Sequence, residues 1–291
     1  MCRVLLAFLS ALSPVYASAR EPGQYRVATF NLFHDFPYYS HIEERLDLVV
    51  PAVSSHDIDV LAVQEGSETL AFDNSVEQLA RRLGYSHAYF RLEGMDSIYF
   101  FNGLGIISRF PIVDTELYQF QAQASELEKR SAARAVIRSA DHSFSVYVAH
   151  LSGESRELNL AQAQELIRFV ERSRGNRPAV LMGDLNAQPD WSSIRLLKRE
   201  GFIDADETAQ GRDRPTCCVC IFPEHKNPRD SCPGPDDSLK DKIDYVFLGP
   251  HPAGRAAVLS SSLILDRAIR TGDVELRASD HLGVMALLKL F

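Results

Sequence analysis

Several apolar, β-rich runs in this chain each end in an acid, an amide or an imidazole. The polar residues at these ends are Asn31, Glu65, His150, Asp184 with Asn186, Asp244, and Asp280 with His281. One Asp or Asn after a strand indicates no more than a turn, because these residues commonly begin turns. Repetition of the pattern along one chain predicts a fold that gathers several strand ends at one edge, where the polar side chains form a single site.

Helical periodicity and strand-like runs divide the chain into short elements. Amphipathic helices are predicted over residues 42–53, 74–83, 158–170 and 192–199. Strands are predicted over residues 25–30, 59–64, 104–107, 112–120, 132–137, 144–149, 178–182, 243–248, 256–265 and 284–290. Pro51 is expected to end the first helix early or to kink it, since proline removes a helical hydrogen bond.

The order of these elements predicts the fold class. The consecutive strands between residues 104 and 149 have only turns between them, which favours antiparallel pairing. The helices before and after this stretch must cover the sheets. We therefore expect an α+β fold, a four-layer α/β/β/α sandwich in which two mostly antiparallel sheets pack face to face and the helices lie outside. Residues 208–240, rich in Pro, Gly, Asp and Cys, are expected to form a long surface loop.

The first residues have the pattern of a signal peptide. Arg3 precedes an apolar run over residues 4–12 that is too short to span a bilayer, and Ala17 and Ala19 occupy the small-residue positions that a signal peptidase reads. We expect residues 1–19 to be removed and residues 20–291 to form one secreted or periplasmic domain. A buried first helix or strand is the alternative interpretation of the apolar run.

The charge balance limits the partners of the protein. The sequence carries a formal net charge of -8, which disfavours binding to long polyanions by charge alone. A metal site could still recruit a phosphate locally. The sequence shows no feature of an obligate protein partner, and a monomer is expected.

Four cysteines lie close together late in the chain: Cys217, Cys218, Cys220 and Cys232. Outside the cytoplasm, one or two disulfides that close a surface loop are the first interpretation. Zinc binding is the alternative, although the spacing lacks two separated Cys-x-x-Cys pairs. The sequence leaves the pairing of these cysteines open.

The polar residues at the strand ends suit phosphoester chemistry. Carboxylates such as Glu65 and Asp280 are the hard oxygen ligands that Mg²⁺ or Mn²⁺ prefers. Carboxylates beside imidazoles can hold such a cation, align water and stabilise the charge of a phosphoryl transition state. The sequence contains no Gly-rich loop of the P-loop type, which argues against an ATPase or a nucleotide-dependent kinase.

The same residues lie in short motifs that follow one another in a recognisable order. The motifs are Ala28-Thr29-Phe30-Asn31, Val63-Gln64-Glu65, Ala149-His150-Leu151, Gly183-Asp184-Leu185-Asn186, Lys242-Ile243-Asp244-Tyr245 and Ser279-Asp280-His281. Together they resemble the ordered motifs of the DNase I-like endonuclease/exonuclease/phosphatase superfamily. The Gly-Asp-x-Asn and Ser-Asp-His motifs are the most specific part of this resemblance.

The resemblance implies which residues hold the cation and the attacking water. Glu65 would be the principal metal ligand, helped by Asn31 and Asp280. Asp184 would orient or deprotonate the water, and Asn186 would hold a phosphate oxygen. The implied cofactor is Mg²⁺ or Mn²⁺.

The resemblance also implies which residues stabilise the phosphate. His281 would donate to the phosphate, and Asp244 would accept from the other ring nitrogen and fix the tautomer. His150 would stabilise the developing charge. Arg134 resembles a strand arginine that contacts phosphate in some members, and an exposed strand arginine is the alternative interpretation.

The predicted activity is phosphoester hydrolysis, with a phosphodiester as the expected substrate. A nuclease should line its site with Arg or Lys for the neighbouring phosphates. A sphingomyelinase-like enzyme that takes a phospholipid head group should have an apolar rim, for which residues 98–101 are candidates. A secreted binding protein without catalysis is a further alternative, which the full set of acids and imidazoles disfavours.

Overall fold

A computed structural model describes residues 21–95, 99–125, 129–140, 142–219, 221, 239–251, 256–271 and 274–291. The helices are α1 (Ile42–Ser55), α2 (Ser75–Leu83), α3 (Arg156–Arg174), α4 (Ser192–Arg199) and α5 (Ala205–Gln210). The strands are β1 (Gln24–Asn31), β2 (Val60–Thr69), β3 (Ser86–Met95), β4 (Phe100–Ser108), β5 (Ile112–Gln119), β6 (Ser131–Arg138), β7 (Ser143–His150), β8 (Ala179–Asp184), β9 (Ile203–Asp204), β10 (Asp244–Leu248), β11 (Ala256–Ile264), β12 (Ile269–Thr271), β13 (Val274–Leu276) and β14 (Gly283–Leu290). The predicted signal peptide, residues 1–19, lies outside the described residues.

The strands form two large sheets and a small hairpin. The first sheet has the order β11-β14-β1-β2-β4-β3, the second has the order β5-β6-β7-β8-β10-β9, and β12 pairs with β13. In each large sheet one central pair is parallel, β1 with β2 and β7 with β8, and the other described pairs are antiparallel. Helices α1 and α3 make the crossovers that these two parallel pairs require.

Alternating side chains of the central strands fill two different apolar layers. On β2, Val60 and Ala62 pack in the core between the two sheets, whereas Leu61 and Val63 pack beneath helices α1 and α2. The second sheet is likewise covered on its outer face by α3 and α4. Because both faces of the central strands are buried, most of the side chains on these strands are apolar. This arrangement confirms the predicted four-layer α/β/β/α sandwich.

Some predicted elements differ from those in the structure. Helix α1 continues past Pro51 to Ser55, so the expected early end is wrong. Val49 and Val53 are buried on the face that packs on the first sheet, and this packing outweighs the hydrogen bond that proline removes.

Five described elements were not predicted: the strand β3, the helix α5 and the short strands β9, β12 and β13. Strand β3 lies at the edge of its sheet and buries little of its length, so its apolar pattern is weak. Helix α5 (Ala205–Gln210) begins before the predicted long loop and overlaps only its first residues, 208–210. Residues 220 and 222–238 of that loop lie outside the described residues. Among the described helices, none is both long and apolar enough to cross a bilayer.

Candidate active site

The two parallel strand pairs bring the predicted site residues to one edge of the sandwich. In the first sheet Asn31 at the end of β1 is level with Gln64 on β2. In the second sheet Asp184 at the end of β8 lies between His150 on β7 and Asp244 on β10. The edge opens into a cavity of about 1000 Å³, which Glu65, His150, Asp184, Asn186, Asp280 and His281 line together with other residues.

A β-bulge, not a strand end, delivers Glu65 to this cavity. Strand β2 runs on to Thr69, but its register with β4 shifts between Val63 and Gly66, and Glu65 has a left-handed backbone with φ 56°. The prediction that Glu65 lies at the tip of its strand is therefore wrong. A bulge rotates the side chain away from the normal alternation, which places the carboxylate at the site while the strand continues.

Asp184 lies at the centre of the cluster. Its Oδ2 is 3.0 Å from Nδ2 of Asn31, 3.4 Å from Nε2 of His150 and 3.9 Å from Nε2 of His281. Burial alone would raise the pKa of Asp184, but His150, His281 and the backbone N–H of Asn186 lower it well below the usual range. Gly183 precedes it with φ 153°, and a side chain there would overlap the carbonyl oxygen of Ala149 on the neighbouring strand.

His281 and Asp244 form a buried pair. Nδ1 of His281 is 2.9 Å from Oδ2 of Asp244, so the ring donates from Nδ1 and turns Nε2 towards the cavity. The hydroxyl of Thr216 donates to the same carboxylate oxygen at 2.6 Å. Burial alone would lower the pKa of His281, but the carboxylates of Asp244 and Asp280 raise it well above its ordinary value. The ring is therefore suited to donate a proton or a hydrogen bond to an anion.

Glu65 and Asp280 provide the oxygen ligands that fit a divalent cation. Burial and the nearby charge of Glu65 raise the pKa of Asp280 to about 6, and His281 opposes this rise only in part. Burial would also raise the pKa of Glu65, but His34, His150 and Asn31 lower it to about 2. A cation between two carboxylates that repel each other would stabilise the charged form of both. The donor set therefore suits Mg²⁺ or Mn²⁺.

Asn31 connects the carboxylates of the two sheets. Its Nδ2 donates to Glu65 Oε1 at 3.1 Å and to Asp184 Oδ2 at 3.0 Å, while its Oδ1 accepts from the backbone N–H of Phe33. In this orientation Asn31 positions the carboxylates, and the predicted ligation of a metal by its oxygen requires rotation of the amide. That role stays a prediction.

The buried guanidinium of Arg45 holds the backbone next to two of the predicted metal ligands. It donates to the carbonyl oxygens of Leu32 and Phe33, at 2.9 and 2.6 Å, and of Ala278 at 3.4 Å. These carbonyls belong to the loop that follows Asn31 and to the segment that precedes Asp280. Arg45 thus ties together the two segments that carry predicted ligands.

Asn186 lines the cavity in a left-handed conformation with φ 48°. Its Nδ2 donates to the carbonyl oxygen of Leu151 at 3.0 Å, and its backbone N–H donates to Oδ1 of Asp184 at 2.9 Å. One amide hydrogen remains for a phosphate oxygen, since a primary amide has two. The predicted phosphate contact stays a prediction.

Arg134 does not reach the cavity. Its side chain points to the helix-covered face of the second sheet, where it contacts Asp114 at 2.6 Å and the carbonyl oxygen of Ser173 on α3 at 3.2 Å. The guanidinium is buried by these contacts, so the predicted phosphate contact and the alternative of an exposed strand arginine are both wrong. The alternation of β6 explains the error, because Ala133 and Ala135 take the face towards the other sheet.

Arg130 is the arginine that the structure places at the site. It immediately precedes β6, lines the cavity, and brings Nη1 within 2.7 and 2.8 Å of the two ring nitrogens of His150. Strand β6 is antiparallel to β7, with Ser131 opposite His150, so the start of β6 lies where β7 ends. This expected pairing was the sequence signal that could have indicated Arg130.

Other residues at the cavity were not predicted from the sequence. Nε2 of His34 lies 3.7 Å from Glu65, and its ring packs edge-on against Phe100. Cys217 and Cys218, joined by a disulfide, line the same cavity, and Sγ of Cys217 is 3.5 Å from Nε2 of His281. The other two clustered cysteines, at positions 220 and 232, lie outside the described residues.

The chain matches the model of the Endonuclease/Exonuclease/phosphatase family over residues 28–281. It therefore belongs to this family, as the motifs predicted. A comparison with curated proteins found no match.

Solved structures show the same fold at low sequence identity. An endonuclease/exonuclease/phosphatase family protein from Bacteroides thetaiotaomicron has a TM-score of 0.72 and 18% identity, over 92% of this chain and 98% of that chain. A mannosyl-6-phosphatase from Bacteroides thetaiotaomicron VPI-5482 has a TM-score of 0.70 and 19% identity, over 91% and 99%. The human Nocturnin catalytic domain with bound sulfate has a TM-score of 0.68 and 18% identity, over 92% and 94%.

Proposed function

We propose that this protein is a secreted or periplasmic phosphodiester hydrolase that depends on Mg²⁺ or Mn²⁺. The observation that carries the proposal is the position of Asp184, within 3.9 Å of both His150 and His281 and hydrogen-bonded to Asn31. An acceptor for water thus lies between a carboxylate cluster that suits a cation and imidazoles that suit an anion.

The cation would be held by Glu65 and Asp280. The chemistry it supplies when bound is polarisation of a phosphoryl oxygen and neutralisation of its charge. Asn31 keeps Glu65 and Asp184 together, and Arg45 fixes the adjoining backbone. This half of the site determines where the phosphorus atom can lie.

The remaining residues act on the water and on the phosphate. Asp184 accepts a hydrogen bond from the attacking water, and because its pKa is lowered it orients the water better than it takes up a proton. His281 donates from Nε2 while Asp244 holds its Nδ1. Arg130 and His150, in contact with each other, stabilise the extra negative charge of the transition state.

The lining of the cavity combines the cationic side chains expected of a nuclease with the apolar wall expected of an enzyme that takes a phospholipid head group. Arg91, Lys129 and Arg130 line one part, and an apolar wall that includes Phe36, Phe100 and Phe101 lines another. Of the apolar rim predicted at residues 98–101, Ile98 lies outside the described residues. Single-stranded nucleic acid and a phospholipid head group both stay candidate substrates, and a phosphate monoester joins them because one structural neighbour is a mannosyl-6-phosphatase.

The proposal is tested by a substrate panel with and without EDTA. The panel contains bis-p-nitrophenyl phosphate, p-nitrophenyl phosphate, single-stranded DNA and sphingomyelin vesicles. We expect turnover of at least one diester that EDTA abolishes and added Mg²⁺ or Mn²⁺ restores. Faster turnover of the monoester than of every diester would replace the diester assignment by a phosphatase.

Replacement of Asp184 by alanine provides the matching variant. We expect turnover to fall by about 10²–10⁴-fold, the range for a positioned group that acts on water. Asp190→Ala is the control, since Asp190 is an exposed acid whose described partner is Arg156. Equal activity of the two variants would contradict the role of Asp184, and absence of metal-stimulated turnover in the wild type would contradict the proposed function.

A further inference from the structure

Two sulfur atoms occupy the wall of the cavity beside His281. Cys217 is fully buried and Cys218 is half-buried, and neither has a role in the proposed hydrolysis. The backbone of Cys217 is held in place by Asp241: Cys217 N donates to Asp241 O at 2.9 Å, and Asp241 N donates to Cys217 O at 3.0 Å. The sulfur atoms therefore face the cavity from a fixed stretch of chain.

These sulfur atoms and His281 lie close enough together to form a metal-binding set once the bond between the two sulfurs is broken. One ligand atom each from Cys217, Cys218 and His281 lies within 4.8 Å of the others. Two sulfurs and an imidazole nitrogen are ligands that Zn²⁺ and Cd²⁺ prefer, in contrast to the oxygen ligands of Glu65 and Asp280. A fourth ligand is close by, because Oδ2 of Asp184 lies 3.9 Å from Nε2 of His281.

The hydrogen bond between His281 and Asp244 also suits this set. A histidine that binds a metal through one ring nitrogen usually donates its other N–H to a carboxylate. Nδ1 of His281 meets Asp244 at 2.9 Å, and Nε2 points towards Sγ of Cys217 at 3.5 Å. The nitrogen that would bind the metal is the one that faces the sulfurs.

We propose that reduction of the bond between Cys217 and Cys218 creates a second, thiophilic metal site, formed by both thiolates and Nε2 of His281, and that Zn²⁺ bound there inhibits the enzyme. An added phosphine or dithiol supplies two electrons to the S–S bond, and each sulfur takes up one proton. Binding of the metal then displaces the two thiol protons and the proton that His281 carries on Nε2. The disulfide has no thiolate to offer, so the oxidised protein lacks this site.

The inhibition follows from the sharing of one side chain. A metal on Nε2 occupies the atom that His281 would turn to the phosphate, and it does so without touching Glu65. Sensitivity to Zn²⁺ therefore reports the redox state of the cysteine pair. The inhibition rests on the proposed function, whereas binding of the metal does not.

Metal binding is tested with Cd²⁺, whose bonds to thiolates give an ultraviolet charge-transfer band. Replacement of Cys2, Cys220 and Cys232 by serine leaves Cys217 and Cys218 as the thiols of the chain. This triple variant, reduced with a phosphine, should show the band at one Cd²⁺ per chain. The same variant oxidised with diamide should show no such band when Cd²⁺ is added. Since both samples are one polypeptide, a folding defect cannot produce the difference.

Two further replacements in that background define the ligands. Cys218→Ser should remove the band, and His281→Gln should weaken Cd²⁺ binding by more than about 10-fold, since even loss of a residue that orients a ligand costs that much. An equal band in the reduced and oxidised samples, or unchanged affinity in His281→Gln, would overturn the proposed site.

Inhibition is tested separately on the wild-type protein with Mg²⁺ present. At a Zn²⁺ concentration ten times its dissociation constant, the reduced enzyme should lose about 10-fold in turnover by mass action, and the oxidised enzyme should lose much less. Cys218→Ser controls for Zn²⁺ that displaces Mg²⁺ at Glu65, because that displacement does not need the sulfurs. Equal inhibition of the reduced wild type and of Cys218→Ser would overturn the inhibitory role.

Discussion

At the scale of single residues, the two carboxylate oxygens of Asp244 differ in their hydrogen bonds. Its Oδ2 accepts hydrogen bonds from His281 and Thr216, while its Oδ1 is buried and has no hydrogen-bond partner among the described residues. Burial raises the pKa of this carboxyl group, and His281 opposes the effect. Asp244 is therefore stabilised mainly by the imidazole that it orients, which makes the two side chains one unit.

Replacement of Asp244 by asparagine should show whether Asp244 orients His281 or only stabilises the fold. We expect kcat to fall by about 10²–10⁴-fold, because His281 loses the acceptor that fixes its tautomer. Asp244 is also one of the carboxylates that raise the pKa of His281. If protonated His281 acts on the phosphate, the alkaline limb of the pH profile for kcat/KM should move to lower pH.

Thr216→Val is the matched control for this prediction. Thr216 donates to the same oxygen of Asp244 but has no described contact with His281. It should leave the alkaline limb in place. An unshifted limb in Asp244→Asn, or an equal shift in both variants, would argue that Asp244 supports only the fold.

At the scale of secondary structure, Arg134 on β6 and Arg130 just before this strand have different roles. Arg130 meets His150 at the cavity, and Arg134 ties β6 to β5 and α3. Arg130→Met should reduce kcat by about 10²–10³-fold, the usual loss for one donor to a transition state. Arg134→Met should instead lower the free energy of unfolding by about 1–3 kcal/mol, since a charged hydrogen-bond partner is lost.

Kinetics and urea unfolding of both variants check this separation. The two substitutions are chemically identical and lie four positions apart, so each controls for the other. Loss of kcat in Arg134→Met without loss of stability would restore the original assignment of Arg134 to the phosphate.

The elements that could be predicted are those whose apolar pattern is strong. Helix α4 was predicted over the residues it occupies, and the central strands were predicted within a few residues, because both of their faces are buried. The edge strand β3 and the bulge at Glu65 could not be predicted. The bulge depends on a left-handed Glu65, a conformation that no local residue preference indicates.

The sequence predicted which residues form the site better than it predicted their orientation and contacts. The strand-end pattern indicated eight residues that the structure brings to one edge, because parallel pairs align the ends of their strands. Arg134 was misplaced because the face to which a strand residue points depends on register, which a sequence alone does not fix. The contact of Cys217 with His281 joins segments 64 positions apart and has no local signal.

At the scale of the whole molecule, the site is divided between the two sheets. The predicted metal ligands Asn31 and Glu65 lie on strands of the first sheet, whereas His150, Asp184 and Asp244 lie on strands of the second. The described contacts across the division include Asn31 with Asp184 and His281 with Asp244. The distance between the sheets therefore sets the distance between the proposed metal ligand Glu65 and Asp184, which is proposed to hold the water.

A pair of core substitutions on β8 can test whether packing between the two sheets controls the alignment of the site. Met182 packs between the sheets and Leu181 packs beneath the helices, and each should cost about 2–5 kcal/mol of stability when replaced by alanine. We expect Met182→Ala to lower kcat by up to about 10²-fold, as misplacement of reacting groups can do, and Leu181→Ala to lower it much less.

The comparison requires kcat measured at a temperature at which circular dichroism shows both variants to be folded. Equal losses of kcat at equal losses of stability would mean that packing between the sheets does not control the alignment of the site.

The position of β14 also has a consequence for how the protein is made. This strand lies between β1 and β11, and it begins just after Asp280 and His281. Synthesis must therefore reach residues 280–290 before β1 can pair with β14 and before Asp280 and His281 can join the cavity. We therefore expect a nascent chain that still lacks this segment to be without the proposed hydrolase activity.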